Sequence, residues 1–135
     1  MSAPPARLDP AQVEAFVAQA HGDLEAARAL LEEEPALLNA AWDWGGGDWE
    51  NGLRAAAHMG RRDIAILHIE RGARMDVFAA AMLGEVEVVR AVLAAQPSAR
   101  DALGPHGMPL VEHARAGGDD ARAVLELLES AQVSP

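Results

Sequence analysis

Four glycines constrain this chain more than any other feature. Gly22, Gly60, Gly84 and Gly117 each divide a pair of short Ala/Leu-rich segments. An acid follows each glycine at the third position, as Glu25, Asp63, Glu87 and Asp120. Apolar residues then recur one helical turn later: Leu30-Leu31, Leu67 with Ile69, Val92-Leu93 and Val124-Leu125. This is the spacing of helix-turn-helix units, whose apolar faces are buried only when neighbours stack on them. The pattern therefore predicts an all-α solenoid of four units, over about residues 10–40, 41–74, 75–102 and 103–131. Residues 1–8, rich in Pro and Ala, read as a flexible and dispensable arm.

Composition agrees with close-packed helices. Hydrophobic residues make up 50% of the 135 residues and aromatics only 4%, so Ala and Leu must form the core. Local signals place the helix ends. Asp9-Pro10 reads as a cap and first turn, Asn51 as a second cap, and Asp76 as an abrupt third start. Pro35 and Pro97 stop helices, Pro109 opens one, and Asp119 or Asp120 suits the start of the last. Helix is expected nearly throughout, with no extended sheet.

Charge excludes one class of partner. The net charge is −10, and nucleic-acid binding needs a basic footprint instead. Acidity is uneven: residues 1–50 carry ten acids against two arginines, whereas residues 51–75 carry five arginines against two acids. There is no cysteine, hence no disulfide or thiolate chemistry. Met1 to Pro10 lacks an apolar leader core, and no apolar run reaches membrane-spanning length. A cytoplasmic monomer with no membrane association is expected.

Units one and three match at an offset of 62 residues: Phe16/Phe78, Gly22/Gly84, Glu25/Glu87, Arg28/Arg90, Leu31/Leu93 and Pro35/Pro97. Gly84-Glu85-Val86-Glu87-Val88-Val89-Arg90-Ala91-Val92-Leu93, the Gly72-Ala73 turn, and the alanine pairs Ala56-Ala57 and Ala80-Ala81 follow a known pattern. Through these residues the chain resembles the ankyrin repeat family, and within it the short stand-alone proteins of bacteria. The resemblance covers residues 11–130 and implies units of about 33 residues, each a turn plus two antiparallel helices. It departs in three places. The Thr-Pro-Leu-His signature is replaced by Asn51-Gly52-Leu53-Arg54 and Met108-Pro109-Leu110-Val111. Phe16 and Phe78 stand where the family's histidine falls. The turn glycines lie 38, 24 and 33 residues apart, so the hairpin between units two and three is expected to be missing.

The resemblance implies a binding surface at the positions before each turn glycine and at the hairpin tips. Those positions are Ala20-His21, His58-Met59, Met82-Leu83 and Arg115-Ala116. Met59, Met82 and Leu83 would form an apolar stripe on the concave side; alternatively, they fill the core. Trp42, Trp44 and Trp49, all in one Gly-rich connection, would supply an aromatic rim, or pack that connection against its neighbour. Gly45-Gly46-Gly47 lacks the Lys and the strand-turn-helix context of a phosphate loop. The five histidines, His21, His58, His68, His106 and His113, show no metal-ligand spacing on any one helix face, so neither a metal site nor any cofactor is expected. No nucleophile motif points to an enzyme. The expected function is noncatalytic binding of an unidentified protein through the concave face and the Trp connection. Two alternatives stand beside it: a small-molecule or hydrolytic site in the notch between units two and three, and an acidic inhibitor or antitoxin of a basic partner.

Overall fold

A computed structural model of the chain describes residues 3–133. Among them are eight α-helices: α1 (Pro10–Gln19), α2 (Leu24–Glu33), α3 (Gly52–His58), α4 (Arg62–Glu70), α5 (Val77–Leu83), α6 (Val86–Ala95), α7 (Leu110–Ala116) and α8 (Arg122–Val133). Side-chain caps start the odd-numbered helices. Asp9 accepts from the Ala11 N–H at 3.0 Å, Asn51 from Arg54 at 2.8 Å and Asp76 from Ala79 at 2.9 Å. Each satisfies an N–H that a helix start leaves unpaired. Asp119 and Asp120 do not start α8. They lie in a 3₁₀ turn, Gly118–Ala121, and α8 begins at Arg122.

The helices form two layers. In one, α1 touches α3, α3 touches α5, and α5 touches α7; in the other, α2 touches α4, and α6 touches α8. Gly84 shows how tightly the layers turn. Its φ is 81°, and a Cβ there would lie 2.1 Å from the Asp120 carbonyl oxygen. Only glycine accepts both the left-handed backbone and that approach.

The packing of α5 overturns the expected apolar stripe. With α3 on one side and α7 on the other, this short helix is covered along Phe78–Leu83. Met82 and Leu83 are 1% and 5% exposed and belong to the first core cluster, with Phe16, Leu31, Leu53 and Ile64. Met59, one position past α3, is 53% exposed. A second cluster gathers Phe78, Val89, Leu110, Val124 and Leu128. The N-terminal arm is also less free than expected: Leu8 packs half-buried on the first cluster, while Met1 and Ser2 lie outside the described residues.

Residues 41–51 are not an irregular connection. They form an antiparallel hairpin, β1 (Ala41–Asp43) with β2 (Trp49–Asn51), pairing Trp42 with Glu50 and Asp43 with Trp49. Tryptophan favours a pleated surface. The Asp43 carboxylate folds the tip by accepting from the N–H groups of Gly45 and Gly47 at 2.9 and 3.0 Å. No described strand stands between α4 and α5.

Candidate functional site

Alternation along the hairpin decides what it presents. Successive strand residues face opposite sides, and Trp44 continues the ladder by donating its N–H to the Asp48 carbonyl at 3.0 Å. Trp42, Trp44, Asp48 and Glu50 therefore share one face, and Asp43 and Trp49 the other. On the first face, Trp42 packs on the core. Glu50 is fully buried and accepts from the Trp44 indole N–H at 2.8 Å.

Three histidines meet Glu50, each from a different element. His21 lies just past α1, His58 is the last residue of α3, and His106 sits in the turn Pro105–Gly107. Their Nε2 atoms stand 3.1, 2.9 and 3.2 Å from Glu50 carboxylate oxygens. All four potential ligand atoms lie within 4.8 Å of one another. His21 and His58 become neighbours because α1 packs on α3. The missing finger brings His106: with no hairpin between α4 and α5, the next turn reaches the first hairpin. There Asp48 accepts from the His106 backbone N–H and from its Nδ1, each at 2.8 Å. Among the described residues, His106 is the only non-glycine residue with positive φ, at 61°. Asp48 holds this uncommon conformation in place.

The hydrogen bonds fix what each ring presents to Glu50. His21 Nδ1 lies 2.9 Å from the Val17 carbonyl oxygen, which only accepts, so that nitrogen carries a proton. His106 Nδ1 likewise donates to the Asp48 carboxylate. In a neutral ring the remaining nitrogen, Nε2, then aims a lone pair at another acceptor. His58 Nε2 and Glu50 Oε2, though 2.9 Å apart, are buried and not aligned for a hydrogen bond, and neither has another partner. Positive charge must enter such a cluster. Protonating all three imidazoles would crowd three partly desolvated cations together, which is costly. One divalent cation would satisfy every lone pair at once. Two donors about 2.1 Å from a common ion lie about 2.9–3.4 Å apart, which brackets the Glu50 contacts. The tied Nδ1 atoms of His21 and His106 are the outer-shell pattern of ligating histidines.

The ionisation of the cluster points the same way. Burial opposes charge on Glu50, yet the contacts of His21, His58 and Trp44 hold its carboxyl far below the ordinary range. The Glu50 carboxylate raises the His21 pKa against the cost of burial. An ionised carboxylate beside basic nitrogens is a donor set for imidazole-favouring metals such as Zn, Fe, Ni or Cu.

Of the side chains read from the sequence, the structure brings His58 and Trp44 together at this site. Trp42 and Trp49 instead line an apolar hollow of about 430 Å³ with Leu8, Pro10 and Val13. Met59 and Trp49 are exposed, Met82 and Leu83 are core, and Arg115 pairs with Glu112 on its own helix. The reading that the histidines are scattered is corrected: spacing on one helix face cannot detect ligands drawn from four elements. His21, Asp48, Glu50 and His106 were missed as site residues. Two signals were present, the histidines near the turn glycines of adjacent units and the period-two acids of Asp48-Trp49-Glu50. His68 and His113 stay apart, fully buried. Neither known protein-family models nor curated proteins match this chain.

Proposed function

We propose that this protein is a metal-binding domain built on an ankyrin-type solenoid. One divalent transition-metal ion is held by Nε2 of His21, His58 and His106 and by the Glu50 carboxylate. The observation that carries this reading is the convergence of those four groups within 4.8 Å, with two of the rings tied back through Nδ1. Two sets of features support the ankyrin-type frame: the layered contacts of odd and even helices, and the matching 3₁₀ turns at Pro35–Asn39 and Pro97–Asp101, which repeat the 62-residue offset. Three imidazoles argue against Mg²⁺ or Ca²⁺, which prefer oxygen ligands.

Calorimetric titration of chelator-treated protein with Zn²⁺ or Co²⁺ tests the reading. One ion per chain is expected, with affinity lowered about 100-fold or more in His58→Ala, an inner-ligand change at least as damaging as an outer-shell one. The absence of stoichiometric binding, or equal binding by His58→Ala, overturns it.

A second reading, noncatalytic recognition of a protein partner, draws on the exposed Trp49 and Met59, 56% and 53% accessible. Exposed aromatic and methionine side chains are common binding anchors. Capture of one partner from native extract by the wild type, lost in a stably folded Met59→Glu variant, would favour it; equal capture by both would remove it.

A further inference from the structure

We infer that the metal's outward face takes an exogenous ligand, a small carboxylate-type anion entering between His21, His106 and Trp44. The inference rests on the metal-binding reading and goes beyond it, because it makes the site one that exchanges ligands rather than a closed structural staple.

Burial is graded across the donors. The Glu50 side chain is 0% exposed and His58 9%, while His21 and His106 are 25% and 38% exposed. Protein therefore surrounds the ion from the Glu50–His58 side and thins toward His21 and His106. The rings repeat this order. His58 closes one side of the His21–His106 pair, with centroids 5.0 and 5.3 Å away. Trp44 stands on that same pair at 6.2 Å from each ring. His21 and His106 are themselves 6.1 Å apart. Three rings thus frame a nearly equilateral mouth, and Trp44 is 37% exposed.

None of the frame supplies another ligand atom. An indole nitrogen donates and cannot coordinate, and Trp44 already donates to Glu50 Oε1. The nearby carboxylates are engaged: Asp48 holds His106, and Asp43 holds the hairpin tip. Among the described residues no fifth donor joins the group. Closed structural sites complete their shell with protein ligands, whereas exchange-competent sites leave a position to water or substrate.

The chemistry of that position follows from charge and width. A divalent ion with one ligating carboxylate keeps a net positive charge, which favours an anionic oxygen donor. Ring centroids near 6.2 Å leave a gap only one or two atoms wide once the rings' own thickness is subtracted. A carboxylate or hydroxamate end fits it; an aromatic ring beside the ion does not.

The test uses wild-type protein loaded with one equivalent of Co²⁺, whose visible spectrum reports its ligands, and acetohydroxamate as the small oxygen-donor probe. The expected result is a saturable one-to-one spectral shift with cobalt still bound to protein. Benzohydroxamate should bind about tenfold more weakly, and Trp44→Ala should abolish that gap, within the range that pocket-size discrimination reaches. An unchanged cobalt spectrum overturns the open position while leaving the metal reading intact, and so does removal of cobalt by the hydroxamate. Equal binding of both hydroxamates to wild type overturns the narrow mouth. Failure of Co²⁺ to bind at all overturns the metal reading itself.

Discussion

Two sets of histidines in this molecule start from the same local geometry and end in opposite environments. His21, His68 and His113 each place Nδ1 about 3 Å from the backbone carbonyl four residues earlier, on Val17, Ile64 and Pro109. What differs is what faces the other nitrogen. His68 packs on Phe16 with ring centroids 5.5 Å apart, and His113 on Phe78 at 4.9 Å. Their Nε2 atoms are buried and unpartnered. His21 instead faces Glu50 beside His58 and His106. Burial lowers the pKa of His68 and of His113, whereas Glu50 raises that of His21. One local device therefore serves as neutral core packing in one place and as a polar site in the other. The environment opposite the ring, not the helix carrying it, decides which.

The largest expected effect separates the two sets by metal loading. Anything that binds only the native state stabilises it, by about 2.7 kcal/mol at a free concentration 100 times Kd. Saturating Zn²⁺ should thus raise the melting temperature by several degrees, and a chelator should reverse the gain. Glu50→Gln should abolish the response, because a neutral amide replaces the ligating carboxylate. His68→Leu should retain it. Thermal melts of the three proteins with and without Zn²⁺ decide the matter. A response that survives in Glu50→Gln, or disappears in His68→Leu, would erase the distinction between the two sets.

The same contrast explains what was legible in the sequence. Helix pairs were readable because each carries its own cap, turn glycine and apolar stripe, as Asp76, Gly84 and Val89 do for α5 and α6. The missing finger was readable from the short Gly60–Gly84 interval. Its consequence was not: that the Pro105–Gly107 turn would reach Asp48, 58 positions away in the chain. Met82 and Leu83 were misplaced because their burial depends on both α3 and α7, while a sequence window shows only α5. The hairpin was missed because three-residue strands give too little alternation to register beside a Gly-Gly-Gly tip. Glu50 looked like any surface acid until the pleat turned it inward.

A smaller effect comes from the glycines that cover the two core histidines. A Cβ added at Gly52 would lie 2.4 Å from His68 Nε2 and 2.8 Å from Phe16. At Gly104 the corresponding distances are 3.0 Å to His113 and 3.2 Å to Phe78. Overpacking of a filled core costs about 1–3 kcal/mol. Gly52→Ala should fall within that range and Gly104→Ala near or below its lower end. Urea unfolding measures both; the reverse order would mean that the Gly104 side is the more tightly packed.

The smallest effect is in the pH dependence of stability, and its sign distinguishes the sets most directly. In the unfolded chain His68 and His113 titrate near 6.5. In the folded protein burial lowers both values, and their backbone hydrogen bonds offset only part of that cost. Below pH about 6.5 the unfolded chain therefore binds protons that the folded chain resists, and stability falls as pH falls. The stabilising contribution is complete above that pH, and its slope cannot exceed about 1.4 kcal/mol per pH unit for each group. His21 has the opposite sign. Its raised pKa contributes stability that is present below the unfolded value and is lost as pH rises through the folded value. The comparison must be made free of metal, because metal binding is itself coupled to proton release. Denaturation of wild type and His68→Leu at pH 7.5 and 5.5, both in chelator, isolates the core term. His68→Leu should lose about 1 kcal/mol less than wild type between those two pH values, since it cannot bind the extra proton when unfolded. An equal loss in both proteins would mean that His68 accepts its proton inside the core, and the contrast between the two sets of histidines would then rest on Glu50 alone.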